Sequence, residues 1–131
     1  MQPNQRRFTM IGYVTLGTND IEKASKFYDE LLAELGATRF MDNEQFIAWS
    51  VGPTSPMISV TKPNDGNPST VGNGVMIGLA ATGPAQVDAI YNKAIVLGAK
   101  DEGPAGPRGD KFYAGYFRDV DGNKLNVFCM I

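Results

Sequence analysis

The sequence predicts an α+β fold in which one unit, a strand followed by a helix and at least two further strands, occurs twice. Residues 21–35 and 87–97 carry apolar side chains at spacings of three and four, as in a helix packed on one side. Each follows a short strand-like run, and the matching tyrosines, Tyr28 and Tyr91, are 63 positions apart (91 − 28). The chain therefore has the pattern of a tandem duplication.

The first unit begins with the strand GYVTLG and continues into a helix with recognisable ends. Asn19 or Asp20 is suited to cap the helix N-terminus, and Gly36 is suited to the left-handed conformation that follows a last turn. Two strand-like runs, residues 46–51 and 57–61, follow and are joined through a Gly-Pro turn.

The second unit repeats this order. The run GVMIGLAA predicts its first strand, Thr82 or Gly83 can cap the helix, Pro84 suits the first helical turn, and Gly98 follows the last one. Two more strand-like runs, joined by an Asp-Gly-Asn turn, complete the unit at residues 111–118 and 124–130.

The last strand distinguishes its two faces. Leu125 and Val127 alternate with Lys124, Asn126 and Phe128, so the first pair is predicted to face the core. Asn126 is then directed away from the core, which makes it a candidate for contact with a ligand.

We expect one domain over residues 1–131. The first module spans residues 9–62, a linker rich in Pro, Gly and Asn spans 63–73, and the second module spans 74–131. The segment DEGPAGPRGD, residues 101–110, is predicted to be coil that could cover a site as a flap.

Composition excludes several classes of protein. The 131 residues contain no histidine, which removes the commonest metal ligand and the usual catalytic triads. A net charge of −2 with scattered Lys and Arg disfavours nucleic acid as a partner. The sequence shows no membrane span and no apolar signal-peptide core, and its single cysteine cannot form an internal disulfide. We therefore expect a cytoplasmic protein without a membrane partner.

The motifs YVTLGTNDIEKASKFYDELLAELGA and FYAGYFRDVDGNKLNVF, placed at the two ends of the duplicated pattern, resemble the vicinal oxygen chelate superfamily. This superfamily includes glyoxalase I, bleomycin-resistance proteins and extradiol dioxygenases. The resemblance covers about residues 9–130. It implies two βαβββ modules whose mixed sheets curl around a cavity, commonly in a homodimer.

The resemblance also implies where metal ligands would lie. Metal-dependent members draw them from the first and last strands of each module, which correspond here to Tyr13, Ser59, Met76 and Asn126. A phenol, a hydroxyl, a thioether and an amide supply no anion at neutral pH, so we expect neither a metal nor another cofactor. The four positions are instead predicted to bind a small molecule.

Further candidates come from aromatic and charged residues. Trp49, Tyr113 and Tyr116 are predicted to contact the ligand, and Phe128 could join them, although ordinary packing is the alternative for each. Arg118 could bind an anionic ligand, and pairing with Asp119 or Asp121 is the alternative. Cys129 is interpreted as a small buried hydrophobe, because no histidine is present to activate it.

Three hypotheses about function follow. The first is a small-molecule binding protein of the glyoxalase/bleomycin-resistance type, acting without metal. The alternative is a superfamily enzyme, a lyase, isomerase or dioxygenase, with a non-standard metal site or a metal-free site. The third is an interaction module in which the dimer surface matters more than the cavity. A cavity of a few hundred Å³ would favour the first two.

Overall fold

The structure is a computed structural model, and it describes residues 10–131. It confirms the α+β fold, with two helices and eight strands. The first module consists of β1 (Tyr13–Gly17), α1 (Ile21–Ala33), β2 (Thr38–Asp42), β3 (Phe46–Ser50) and β4 (Met57–Thr61). The second consists of β5 (Ile77–Ala80), α2 (Pro84–Val96), β6 (Lys100–Pro107), β7 (Phe112–Arg118) and β8 (Lys124–Met130).

The strands form two four-stranded mixed sheets with the same topology. Sheet 1 has the order β1-β4-β3-β2 and sheet 2 the order β5-β8-β7-β6. In each, the first strand is parallel to the last strand of its module, and the remaining pairs are antiparallel. The repeat seen in the sequence is thus a repeat of structure.

The helix caps follow the local sequence. The Asp20 carboxylate accepts a hydrogen bond from the backbone N–H of Lys23 at 3.1 Å, so Asp20 rather than Asn19 is the cap of α1. Helix α2 begins at Pro84 after Gly83 and has no side-chain cap. Gly98 has a φ of 104°, the left-handed conformation expected after a last helical turn.

The predicted flap is wrong for most of its length, because Lys100–Pro107 forms strand β6. This strand lies at the edge of sheet 2, and its pairing with β7 shifts register on both sides of Gly103. An edge position tolerates Pro104, since one side of the strand makes no ladder hydrogen bonds, and bulges accommodate the glycines. The Pro and Gly residues of this segment therefore led to a prediction of coil where the structure has a strand.

The helices contribute to one core shared by both modules. Each helix packs against its own sheet, and the two helices contact each other. Within residues 10–131, no strand of sheet 1 comes within 8 Å of a strand of sheet 2, measured between Cα atoms. Each sheet thus has a helix on one face and no strand of the other sheet on the opposite face, which we call the open face.

A buried polar cluster joins the two modules. The Tyr28 hydroxyl donates to Asp119 Oδ2 at 2.6 Å, and Asn123 Nδ2 donates to the same oxygen at 3.0 Å and to the Gly17 carbonyl at 2.9 Å. Asp119 Oδ1 accepts from the backbone N–H groups of Asp121 and Asn123, both at 2.9 Å. The turn between β7 and β8 is thus bonded to the first module through a carboxylate whose two oxygens are both satisfied.

This cluster makes the stability of the fold depend on pH above the neutral range. Burial, and then the charge of Asp119, raise the pKa of Tyr28 well above its ordinary value. A raised pKa means that the folded state retains the phenol proton more strongly than the unfolded state does. Its contribution is complete below about pH 10, the ordinary pKa of a phenol, and is lost as the pH rises from there through the higher pKa of the folded state.

We therefore predict that the free energy of unfolding falls as the pH rises above about 10, and that Tyr28→Phe makes this fall shallower. The pKa of Tyr91 is raised to about 12 by burial and by Asp101, so Tyr91 contributes to the pH dependence that remains in the Tyr28→Phe protein. Urea unfolding of both proteins across this range measures the slopes. Equal slopes would show that Tyr28 does not titrate in this way.

Candidate functional site

The open face of sheet 1 holds a pocket of about 370 Å³. Its walls are apolar side chains and its remaining lining residues carry hydroxyl groups. The apolar residues are Met41, Phe46, Ala48 and Met57, and the hydroxyl groups belong to Tyr13, Thr15, Ser59 and Thr61. Apolar walls with a few directed polar groups are typical of small-molecule sites.

Strand register explains how these hydroxyl groups come together. Thr15 of β1 lies opposite Ser59 of β4, which in turn lies opposite Ala48 of β3, so all three point to the same face. Ser59 is buried and donates to Thr15 Oγ1 at 3.2 Å, whereas Tyr13 remains 67% exposed. The pocket thus combines a fixed hydroxyl pair with a phenol that faces the opening.

The open face of sheet 2 is centred on Asn126. This side chain is only 3% exposed, and its Oδ1 atom has no hydrogen-bond partner among residues 10–131. Asn126 lies opposite Gly78, where a Cβ atom would be 2.9 Å from Asn126 Oδ1 and 3.2 Å from Phe128 Cε1. A side chain at position 78 would therefore displace the Asn126 and Phe128 side chains. Glycine at this position leaves room for Asn126 Oδ1, an acceptor to which no described group donates.

Strand register also shows which residues of the two modules occupy equivalent positions. Thr15 and Gly78 are equivalent first-strand positions, and their partners across the sheet are Ser59 and Asn126, respectively. The equivalence of Ser59 and Asn126 is therefore structural. Within one chain, however, these two residues lie on different open faces and do not share a pocket.

Met76 is placed at a third location. It immediately precedes β5, is 42% exposed, and lines an apolar pocket of about 400 Å³ between the modules. The four mapped positions are thus divided, with Tyr13 and Ser59 in the pocket on sheet 1 and Asn126 on sheet 2.

The mapped residues do not fit a divalent metal. Borderline and hard cations require imidazole, thiolate or carboxylate ligands, and these four side chains offer none of them. Within the described part of the chain, no group of three or more His, Cys, Asp or Glu residues is suited to holding an ion. The donor set is suited instead to hydrogen bonding with an organic molecule.

Trp49 and Tyr113 lie on the helix-facing sides of their sheets and not on the open faces, and Trp49 also lines the apolar pocket between the modules. Trp49 is 1% exposed and donates its Nε1–H to Asp29 Oδ1 at 2.8 Å. The Tyr113 hydroxyl donates to Asp88 Oδ1 on α2 at 2.7 Å, and this bond raises the pKa of Tyr113. Both side chains attach helices to sheets.

The other aromatic candidates lie on the open face of sheet 2. Tyr116 is directly opposite Asn126, and Phe128 stacks on Phe112 with ring centroids 5.5 Å apart. The guanidinium of Arg108 lies 5.4 Å from the centre of the Tyr116 ring, and Lys124 Nζ lies 5.7 Å from it. Sequence analysis had no signal for Arg108, since it occurs in the segment interpreted as coil.

The predicted partners of Arg118 are wrong. Arg118 forms an ion pair with Glu102 of β6 and donates to the Gly122 carbonyl at 2.9 Å. Asp119 is unavailable because it binds Tyr28 and Asn123. Cys129 is buried, with 5% exposure, as predicted for a small hydrophobe.

The paired βαβββ modules and the pocket on the open face of sheet 1 place this chain in a known class of proteins. The family model "Glyoxalase/Bleomycin resistance protein/Dioxygenase superfamily" matches residues 10–127. The chain therefore belongs to this superfamily, as its motifs indicate. A search of curated proteins finds no significant match.

Solved structures agree with this assignment. A glyoxalase/bleomycin resistance protein from Albidiferax ferrireducens T118 is 38% identical, with a TM-score of 0.85 over 92% of this chain and 98% of that one. The fold is also shared with a lactoylglutathione lyase from Agrobacterium tumefaciens, which is 20% identical with a TM-score of 0.70 over 94% and 95% of the two chains. Within residues 10–131, no helix is long and apolar enough to cross a membrane.

Proposed function

We propose that this protein binds small organic molecules at the open face of each sheet and does so without a metal ion. The ligand-binding residues of the proposal are Tyr13 and Ser59 on sheet 1 and Asn126 and Tyr116 on sheet 2, with Met76 at the module junction. Apolar walls hold the body of the ligand, and hydroxyl and amide groups orient it. The role is sequestration or delivery, which requires binding and no reactive group.

The observation that carries the proposal is the pocket on sheet 1. Its volume of about 370 Å³ is in the range typical of small-molecule sites. A module serving only as a dimerisation scaffold would not need a concave face lined by Thr15, Ser59 and Thr61. These hydroxyl groups retain hydrogen-bonding capacity toward a guest, because each hydroxyl can both donate and accept.

A second observation supports it. Burying an acceptor without a donor costs about 1–3 kcal/mol, and Asn126 Oδ1 is such an acceptor. A ligand that donates an O–H or N–H group to this atom would recover part of that free energy.

The pocket on sheet 1 can be tested with N-phenylnaphthylamine, a neutral probe that fluoresces in apolar sites. We expect saturable binding to the wild-type protein and at least about tenfold weaker binding to Ala48→Leu, whose added side chain fills the pocket. Ala33→Leu adds the same side chain at an exposed position of α1 and should bind like the wild type.

A second variant keeps the test valid if Ala48→Leu folds poorly. Thr15 is exposed and lines the same pocket, so the Thr15→Leu protein should fold and should still bind the probe more weakly than the wild type does. Unchanged affinity in a folded Ala48→Leu or Thr15→Leu protein would overturn the assignment of the pocket.

A further inference from the structure

One end of the open face of sheet 2 carries a row of cationic side chains. Lys100 of β6 lies opposite Arg118 of β7, and Arg118 lies opposite Lys124 of β8. Residues opposite each other on neighbouring antiparallel strands point to the same face, so the three cations are adjacent. We call Lys100, Arg118 and Lys124 the cationic row.

Like charges placed directly opposite each other across strands are unfavourable, so the row requires counter-charge. Glu102 pairs with Arg118, and the charges of Lys100 and Lys124 also help to lower the pKa of its carboxyl group. Neither lysine forms an ion pair of its own among the described residues. The face is thus locally positive in a protein whose net charge is −2.

Arg108 adds a fourth cation, and it is held in place. Its guanidinium donates to the carbonyls of Pro104 at 2.7 Å and Gly106 at 2.9 Å while lying over the Tyr116 ring. These bonds orient the group before any ligand arrives. An ordered guanidinium loses little freedom when it binds an anion.

The neighbouring rows on this face are polar and then aromatic. Tyr116 and Asn126 lie two residues along their strands from the cationic row, which is about 7 Å. Phe128, stacked on Phe112, lies in the next row beyond Asn126. Positive charge, an acceptor lacking a donor and an aromatic surface therefore follow one another across the face.

We propose that the open face of sheet 2 selects an organic anion with a specific layout. Its carboxylate or phosphate group binds the cationic row and Arg108, an O–H or N–H group donates to Asn126 Oδ1, and an apolar or aromatic body lies on Phe128. This inference rests on the proposed small-molecule function and names the class of its ligand. The same positive charge disfavours a metal cation beside Asn126.

The inference can be tested with a matched pair of fluorescent probes. Anilinonaphthalene sulfonate carries an anionic group, an N–H donor and aromatic rings, and N-phenylnaphthylamine is its neutral counterpart. We expect the double variant Lys100→Gln/Lys124→Gln to bind the sulfonate at least about fivefold more weakly than the wild type does. The affinity for the neutral probe should not change.

The two lysines are suitable for substitution because Lys100 is exposed, Lys124 is half-buried, and the double variant should fold. Lys26→Gln, at an exposed position of α1, removes a charge of the same kind away from the face and should leave both affinities unchanged. Displacement of the sulfonate by benzoate at lower concentration than by phenyl phosphate would assign a carboxylate, and the reverse order would assign a phosphate.

The outcomes separate the two proposals. Equal loss of sulfonate binding in Lys26→Gln and in the double variant, or no loss in either, would overturn the anion site while leaving neutral binding intact. Failure of benzoate and phenyl phosphate to displace the sulfonate would also overturn it. Absence of binding by the neutral probe to the wild type would instead contradict the proposed function.

Discussion

Replacing Asp119 by alanine is expected to lower the free energy of unfolding by about 3–5 kcal/mol. Asp119 is 5% exposed and accepts four hydrogen bonds, which come from the Tyr28 hydroxyl, the Asn123 side chain and two backbone N–H groups. Alanine would leave the buried donors of Tyr28 and Asn123 without this acceptor. Each such loss costs more than a typical hydrogen bond, because the stranded group remains buried.

The loss should be visible as a lower urea midpoint with an unchanged dependence on denaturant. Tyr28→Phe removes one of the four bonds and should cost about 1.5–3 kcal/mol, which is less than the alanine substitution. Asp110→Ala is the matched control, since Asp110 is exposed in the β6–β7 turn and should change stability by no more than about 0.5 kcal/mol. An Asp119→Ala protein as stable as Asp110→Ala would show that the cluster does not join the modules.

Replacing Trp49 by alanine is expected to cost about 3–5 kcal/mol, because its ring fills the core between β3 and α1. The ring centroid lies 5.6 Å from that of Tyr28, and the indole N–H binds Asp29, which also pairs with Arg39. Truncation would thus remove packing and release a bond that attaches β3 to the helix. Thermal or urea unfolding measures the effect.

Trp49→Phe separates the two contributions. It retains most of the packing and loses the N–H, so the cost should fall to about 1–2 kcal/mol. At a temperature where it remains folded, this variant should bind N-phenylnaphthylamine with wild-type affinity, because Trp49 faces away from the pocket on sheet 1. A marked loss of probe affinity with little loss of stability would identify Trp49 as a ligand-binding residue.

The reason Trp49 was assigned to the site lies in the sequence of β3. In the strand FIAWS, the residues that point to either face of the sheet are mostly apolar. The alternation alone therefore cannot show whether Phe46 and Ala48 or Ile47 and Trp49 face the helix. The same ambiguity affects β7, where aromatic residues occupy both faces, so the sequence did not show that Tyr113 faces the helix. Only the packing of the helix decides these cases.

Strand β8 shows the opposite situation. Leu125 and Val127 alternate with Lys124 and Asn126, so one face is apolar and the other polar, and the sequence identified both faces. The helices were predictable for a similar reason, since a single apolar stripe and marked ends leave one interpretation. Elements with contrasting faces can therefore be predicted from the sequence, and elements with two similar faces cannot.

The cationic row could not be predicted because it depends on register across three strands. Lys100, Arg118 and Lys124 are widely separated in the sequence, and the first lies in an edge strand whose Pro and Gly residues resemble coil. The ion pair between Arg118 and Glu102 was missed for the same reason. Contacts of this kind arise only after the bulges of β6 have fixed its pairing.

We propose that Tyr13, Ser59, Met76 and Asn126 contact an organic ligand and that this binding needs no metal. The most direct measurement is a titration of chelator-treated protein with N-phenylnaphthylamine, repeated after addition of excess Zn²⁺ and removal of the free ion. We predict saturable binding with the same affinity in both samples. Binding that appears only in the sample supplied with Zn²⁺ would contradict the claim.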